Sequence, residues 1–160
     1  TNGKAVRAHV GFVFTDPLSQ LVMPTPAEDV ELSLRKTIRD RAARRQRAIE
    51  LLAQRGVSAV ADSSIYDISG GERQLVALAS VLAVEPAIIV LDEPTTLLDL
   101  RNREALRTTL AALPQQLLIA THDLDLALDA DRVLVIDAGR LVFDGTPADA
   151  IAHYRTLLGL

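Results

Sequence analysis

Residues 87–94 read Ala87-Ile88-Ile89-Val90-Leu91-Asp92-Glu93-Pro94. Five apolar residues in a row, closed by two carboxylates and a proline, are the pattern of a short strand buried on both faces of a parallel sheet. Open α/β sheets bind ligands outside the carboxyl ends of their strands, so Asp92 and Glu93 stand where a ligand is expected. A strand that simply ends in solvated acids is the plainer alternative. Pro94-Thr95 speaks against it, because the chain is turned sharply there instead of fading.

The residues downstream repeat the theme. A helix is expected from about Leu100 to Leu113, then a second buried strand, Gln116 to Ala120, ending in Thr121-His122-Asp123. Asp123 can cap a short helix, Leu124 to Leu128, with acids near its positive end. Arg132–Ile136 and Arg140–Phe143 read as hairpin strands joined at Asp137-Ala138-Gly139, and Thr146-Pro147-Ala148-Asp149 starts a last helix. Upstream, Ala5–Phe14 reads as a strand ending at Thr15-Asp16-Pro17. Thr25-Pro26-Ala27-Glu28 is a helix start in which Thr caps, Pro sits first and Glu reaches back. A helix around Ile38 to Gln54 sets Ile38, Ala42, Ile49 and Leu52 on one side and Arg41, Arg44, Arg45 and Arg47 largely on the other, with Gly56 as its stop. That basic face reads as a solvated surface, or alternatively as a contact for lipid head groups or an acidic partner. A further helix is expected from about Glu72 to Val84. The fold class is therefore α/β, a parallel sheet flanked by helices, with a mainly helical first half.

Composition narrows the function. The 160 residues are 49% hydrophobic and carry a net charge of −4, with no cysteine. This is enough apolar material for one core. The charge gives no general attraction for nucleic acid, and the missing thiols exclude disulfides, thiolate metal sites and cysteine nucleophiles. No apolar run approaches the length of a spanning helix and no signal peptide pattern opens the sequence, so a cytoplasmic protein is expected.

Three segments carry candidate chemistry. In Ser69-Gly70-Gly71-Glu72, two glycines admit close approach of an anion, Ser69 offers a hydroxyl, and the first amides of a helix point outward. By itself an S-G-G is first of all a capped helix start. At Asp92-Glu93, phosphoryl transfer would use one acid to hold magnesium through water and the other to orient the attacking water. His122, after the second buried strand, could reach a terminal phosphate on the same sheet edge, or could serve only beside a helix cap.

In this order the three segments resemble the ABC ATPase family over nearly the whole chain. Ser69-Gly70-Gly71-Glu72-Arg73-Gln74 is similar to its signature loop, Asp92-Glu93 to its magnesium aspartate and catalytic glutamate, and His122 to its switch histidine. Thr96-Leu97-Leu98-Asp99 resembles the loop that communicates between subunits, with Asp99 as its acid. Val10–Phe14 leads into what resembles the lid loop that faces a membrane partner. Phe14–Leu21 and Thr25–Val30 resemble the energy-coupling-factor group of vitamin and metal importers, and Thr95–Asn102 its biotin branch.

The resemblance implies a P-loop NTPase-like core and a helical subdomain. Residues 1–24 would supply a strand and the lid loop, 25–85 the helical subdomain with the signature loop, and 86–160 the α/β core. It implies ATP and Mg as cofactors, and a second ATPase subunit, identical or related, pairing head to tail so that Ser69, Gly70, Gly71, Glu72 and Asp99 complete the partner's nucleotide site. Transmembrane transporter subunits would complete the assembly at the inner face of the membrane, with no nucleic acid partner. A nucleic-acid-associated ABC ATPase and a non-catalytic docking fragment are the competing readings.

The sequence departs from the family in two telling places. No G-x-x-x-x-G-K-[ST] occurs, and Gly3-Lys4 is a lone pair. By resemblance that loop, with an antiparallel sheet that stacks on adenine, precedes the segment where these residues begin. The chain therefore reads as truncated at its N-terminus, binding ATP poorly or not at all alone, with apolar strand edges exposed beside the strand that ends at His122. The second departure is Thr15, where the family usually has a glutamine that touches magnesium. Its hydroxyl is a candidate metal contact of shorter reach.

Overall fold

A computed structural model describes Gly3, Val6 and residues 9–160. The chain divides into two compact units, Thr1–Ala120 and Thr121–Leu160.

The first unit is built on a three-stranded parallel sheet of order β1 (Val10–Val13), β2 (Ile88–Asp92) and β3 (Gln116–Ala120). Register aligns Phe12 with Val90 and Val90 with Leu118. Strand β1 is shorter than the expected Ala5–Phe14. Val6 and His9 are helical, and residues 4, 5, 7 and 8 lie outside the described ones. At the other end Phe14 leaves the sheet because its amide donates to Gln20 Oε1 at 3.1 Å.

The strands read as buried on both faces are covered mainly on one. Val13, Ile89 and Leu91 are fully buried, whereas Phe12 is 43% and Leu118 58% exposed on the opposite face. A run of apolar residues without alternation does not say which face is covered.

The helices of this unit start where side chains cap them. Helix α1 (Pro26–Leu34) has Thr25 as its N-cap and Pro26 in its first turn. Thr25 Oγ1 accepts from the Glu28 amide at 3.4 Å and donates to Glu28 Oε2 at 3.0 Å; such a cap stabilises a helix by about 1 kcal/mol. Helix α2 (Arg41–Gln54) starts three residues later than Ile38, because Asp40 accepts from the Ala43 amide at 2.7 Å and fixes the first turn there. Helix α3 (Gly70–Leu82) begins at the Ser69 cap and α4 (Leu100–Ala111) at Asp99. Val30, Leu34, Leu52, Val76 and Ala77 join α1, α2 and α3 in one apolar cluster. Fully burying a side chain such as Leu52 contributes roughly 1.5–3 kcal/mol.

Helix α3 also packs on the sheet. A Cβ on Gly11 would stand 2.3 Å from Val81 Cγ1 and 3.2 Å from Pro86 Cγ, so the glycine in β1 answers a close approach.

The arginine face of α2 is largely paired within the chain. Arg44 and Arg45 meet Glu31 at 3.7 and 3.2 Å, Arg45 also bonds Asp62, and Arg47 meets Glu50 at 3.4 Å.

The second unit holds the short helix α5 (Leu124–Leu128), the antiparallel hairpin β4 (Val133–Asp137) and β5 (Arg140–Gly145), and α6 (Pro147–Leu157). Its helices begin at the expected caps, Asp123 and Thr146. Among the described residues no helix is long and apolar enough to cross a membrane.

Candidate active site

The end of β2 is where the first unit concentrates its chemistry. Asp92 is the last residue of the strand and is exposed. Its Oδ2 accepts a hydrogen bond from Thr15 Oγ1 at 3.1 Å. Glu93 turns out of the strand in left-handed backbone, φ 47°, a conformation uncommon for a residue with a side chain. Its amide donates to the Ala120 carbonyl at 2.8 Å, which extends the β2–β3 ladder by one bond. Glu93 Oε2 accepts from Thr96 Oγ1 at 3.2 Å, and the buried Pro94 and Thr95 hold the turn beneath it. Strain of this kind clusters at functional sites, where the surrounding structure sustains it.

Thr15 is presented by a loop with its own supports. Gln20 Oε1 accepts from the Phe14 amide, and Gln20 Nε2 donates to the Ala77 carbonyl of α3 at 3.2 Å. Asp29, 5% exposed, accepts from the Val22 and Met23 amides at 2.9 and 3.2 Å through Oδ1, and from Ser80 Oγ at 2.8 Å through Oδ2. These two residues were missed as part of the site. The available signal was an acid in the first turn of α1 just after a loop, and it reads equally well as a helix-dipole contact.

Ser69, Gly70, Gly71 and Glu72 form a second cluster. Glu72 Oε2 accepts from the Ser69 amide at 2.8 Å and Ser69 Oγ accepts from the Glu72 amide at 3.2 Å, a reciprocal capping box. The hydrogen bonds from the Ser69 side chain and amide hold the Glu72 carboxyl below its ordinary range. The Ser69 oxygen accepts from the Glu72 amide while its proton goes to the Glu72 carboxyl, so an anion at Ser69 would take that proton in place of Glu72. Gly71 lies against Asn102, whose Cγ would be 2.3 Å from a Cβ there, and a Cβ on Gly70 would be 3.5 Å from the Leu97 carbonyl oxygen. Asp99 Oδ1 accepts from the Asn102 amide at 2.8 Å and thus caps α4. The segment Glu93–Asp99 therefore runs from the acid pair to the underside of the glycine loop.

His122 belongs to the second unit and is exposed. The residues beside it are fixed, with the Asp123 amide donating to Thr121 Oγ1 at 3.0 Å.

Among the described residues no three His, Cys, Asp or Glu side chains are grouped to hold a metal ion. The exposed Asp92 carboxylate beside a hydroxyl fits magnesium, which takes one or two carboxylates and fills its shell with water and phosphate oxygens.

A family model described as ABC transporter matches residues 1–96. The chain is 42% identical over 154 residues to the biotin transport ATP-binding protein BioM of Rhizobium etli, covering 96% of the chain and 69% of that relative. It is 39% identical over 158 residues to the energy-coupling factor transporter ATP-binding protein EcfA1 of Leuconostoc mesenteroides, covering 95% of the chain and 58% of that protein. Among solved structures, cbiO1 of Clostridium perfringens, part of the ABC transporter complex cbiONQ, superposes with a TM-score of 0.83 at 30% identity, over 98% of the chain and 64% of its own. The chain thus spans roughly three fifths to two thirds of the length of these relatives.

Proposed function

This chain belongs to the ABC transporter ATPase family, and on that premise we propose that, within its full-length subunit, it hydrolyses ATP to drive import of a small solute, a vitamin or a metal ion, through a membrane partner. The observation that carries the reading is the acid pair at the end of β2. Asp92 is exposed and hydrogen-bonded to the lid loop, while Glu93 is aimed by a left-handed turn and the Ala120 carbonyl. A strand that merely ended in solvated acids would need neither arrangement.

In this reading Glu93 orients the attacking water and takes up its proton, a role that asks for a carboxylate held at a fixed angle. Asp92 would hold magnesium through water, and the ion when bound would offset charge on the phosphate oxygens. Ser69 and the first amides of α3 present donors to an anionic phosphate, with the positive end of the helix behind them. That nucleotide would belong to a second ATPase subunit, identical or related, since a head-to-tail pair lets each signature loop complete the other's site. Asp99 would act in the same interface, and His122 would contact the terminal phosphate. The names of the relatives support the energy-coupling-factor group, and BioM supports its biotin branch.

The test is affinity capture of the tagged full-length subunit from detergent-solubilised membranes. An integral membrane protein is expected to co-purify in an ATP-sensitive complex. Recovery of DNA or ribosomes in its place would overturn the importer reading.

A further inference from the structure

Ion pairs within the chain account for Arg44, Arg45 and Arg47 but not for the cations that lead into α2. Arg35, Lys36, Arg39 and Arg41 are all exposed, and among the described residues none of the four has an ion-pair partner. They run from the end of α1 to the first residue of α2. The one acid among them, Asp40, is turned to the Ala43 amide. In a chain of net charge −4 this is a concentrated positive spot.

Helix electrostatics explains only half of it. Arg35 and Lys36 follow the C-terminal end of α1, where cations are favourable. Arg41 opens α2, whose first turn holds no acid, and so opposes the positive end of its own helix. Nor is the turn slack. The Arg44 guanidinium donates to the Ile38 and Arg39 carbonyls at 3.1 and 3.3 Å, and the Thr37 and Ile38 amides donate to the Leu34 carbonyl at 3.1 and 2.9 Å. Charges rooted on fixed backbone, unpaired within the chain and partly against their helix, are placed for something outside it.

The neighbours say what it suits. Between Val22 and Tyr66 no large hydrophobic side chain is exposed. A protein partner is usually anchored by buried aromatic or apolar side chains, whereas a layer of phosphate head groups asks only for clustered cations. Leu32 and Ser33 of α1 line one cavity with Gln20 and Val22 of the lid loop, and the cluster begins about one helical turn further along. In the importer reading that loop faces the membrane partner.

We propose that Arg35, Lys36, Arg39 and Arg41 form a patch that rests on anionic phospholipid head groups and steadies the helical layer against the membrane beside the transporter partner. This rests on the importer reading above. The attraction is screened by salt and grows with each cation.

The experiment is co-sedimentation of the full-length subunit with protein-free vesicles, either pure phosphatidylcholine or equal parts phosphatidylcholine and phosphatidylglycerol. Wild type is expected to bind the anionic vesicles, less so as salt rises, and to ignore the neutral ones. Arg39→Gln with Arg41→Gln, and likewise Arg35→Gln with Lys36→Gln, is expected to weaken binding by about tenfold or more. Arg140→Gln with Arg155→Gln removes the same charge from exposed positions of the second unit and is expected to change it little. Arg41→Gln alone is expected to keep or raise thermal stability, since it removes a cation from the positive helix end; a loss of stability would assign the residue to the fold instead. The inference is overturned if the fourfold variant binds as the wild type does, if both vesicles are bound equally, or if the control pair is as defective as a patch pair. Absence of vesicle binding while a membrane protein is still captured sinks this inference alone. Vesicle binding with no membrane protein captured contradicts the importer reading and not the patch.

Discussion

The Glu93 amide donates to the Ala120 carbonyl at 2.8 Å while the Glu93 backbone is left-handed, φ 47°. The bond and the strain belong together. The chain must reverse directly after Asp92, and the extra rung to β3 holds the reversal in place. A side chain in this conformation costs roughly 1 kcal/mol or more, which glycine avoids.

Glu93→Gly is therefore expected to be more stable than Glu93→Ala, by about 1 kcal/mol, the reverse of the usual order. Thermal or denaturant unfolding of the two variants checks this. An alanine variant equal to or better than the glycine one would show that the turn is unstrained.

Asp29 serves three donors at once. In Asp29→Leu both acceptor oxygens are lost, leaving the Val22 and Met23 amides and the Ser80 hydroxyl without this partner. A loss of about 1–3 kcal/mol is expected, with faster hydrogen exchange at Val22 and Met23. Ser80→Ala removes a single bond and is expected to cost less.

Gly11 is pressed against Val81 and Pro86. Both neighbours are stiff, one β-branched and in a helix, the other a ring. Gly11→Ala is expected to destabilise by about 1–3 kcal/mol through overpacking. Combining it with Val81→Ala, which vacates the contact, should cost less than the sum of the two single changes in a double-mutant cycle.

These contacts also mark how far the sequence could be read. Helix starts at Thr25-Pro26, Asp123 and Thr146-Pro147 were legible because a cap is settled within four residues. Ile88–Asp92 was legible from its unbroken apolar run, and with it the place of Asp92 and Glu93 at the strand's end. The start of α2 was not, since Ile38 continues the apolar period backward past Asp40, where the cap actually forms. The covered face of the sheet was hidden because Phe12, Val90 and Leu118 are as apolar as Val13, Ile89 and Leu91. Thr15 with Asp92, and Asp29 with Ser80, lie 77 and 51 residues apart, and no local pattern encodes a partner at that distance.

The Ser69–Glu72 capping box makes a pH prediction. The Glu72 carboxyl is held below its ordinary range chiefly by the Ser69 side-chain hydrogen bond, then by the Ser69 amide. A depressed folded value means that the stabilisation is fully present above the unfolded value, about 4.3 for glutamate, and is lost as pH falls through the folded one. Wild type is thus expected to exceed Glu72→Gln in thermal stability at pH 7, with the gap closing as pH drops below about 4. A gap independent of pH would assign the effect to something other than the ionised carboxylate.

The most direct measurement is single-turnover and steady-state ATP hydrolysis by full-length Glu93→Gln beside the wild type, with nucleotide binding followed by calorimetry. With Glu93 as the residue that orients water, turnover should fall by about two to four orders of magnitude while ATP binds as before. Hydrolysis at the wild-type rate would contradict the assignment of the acid pair.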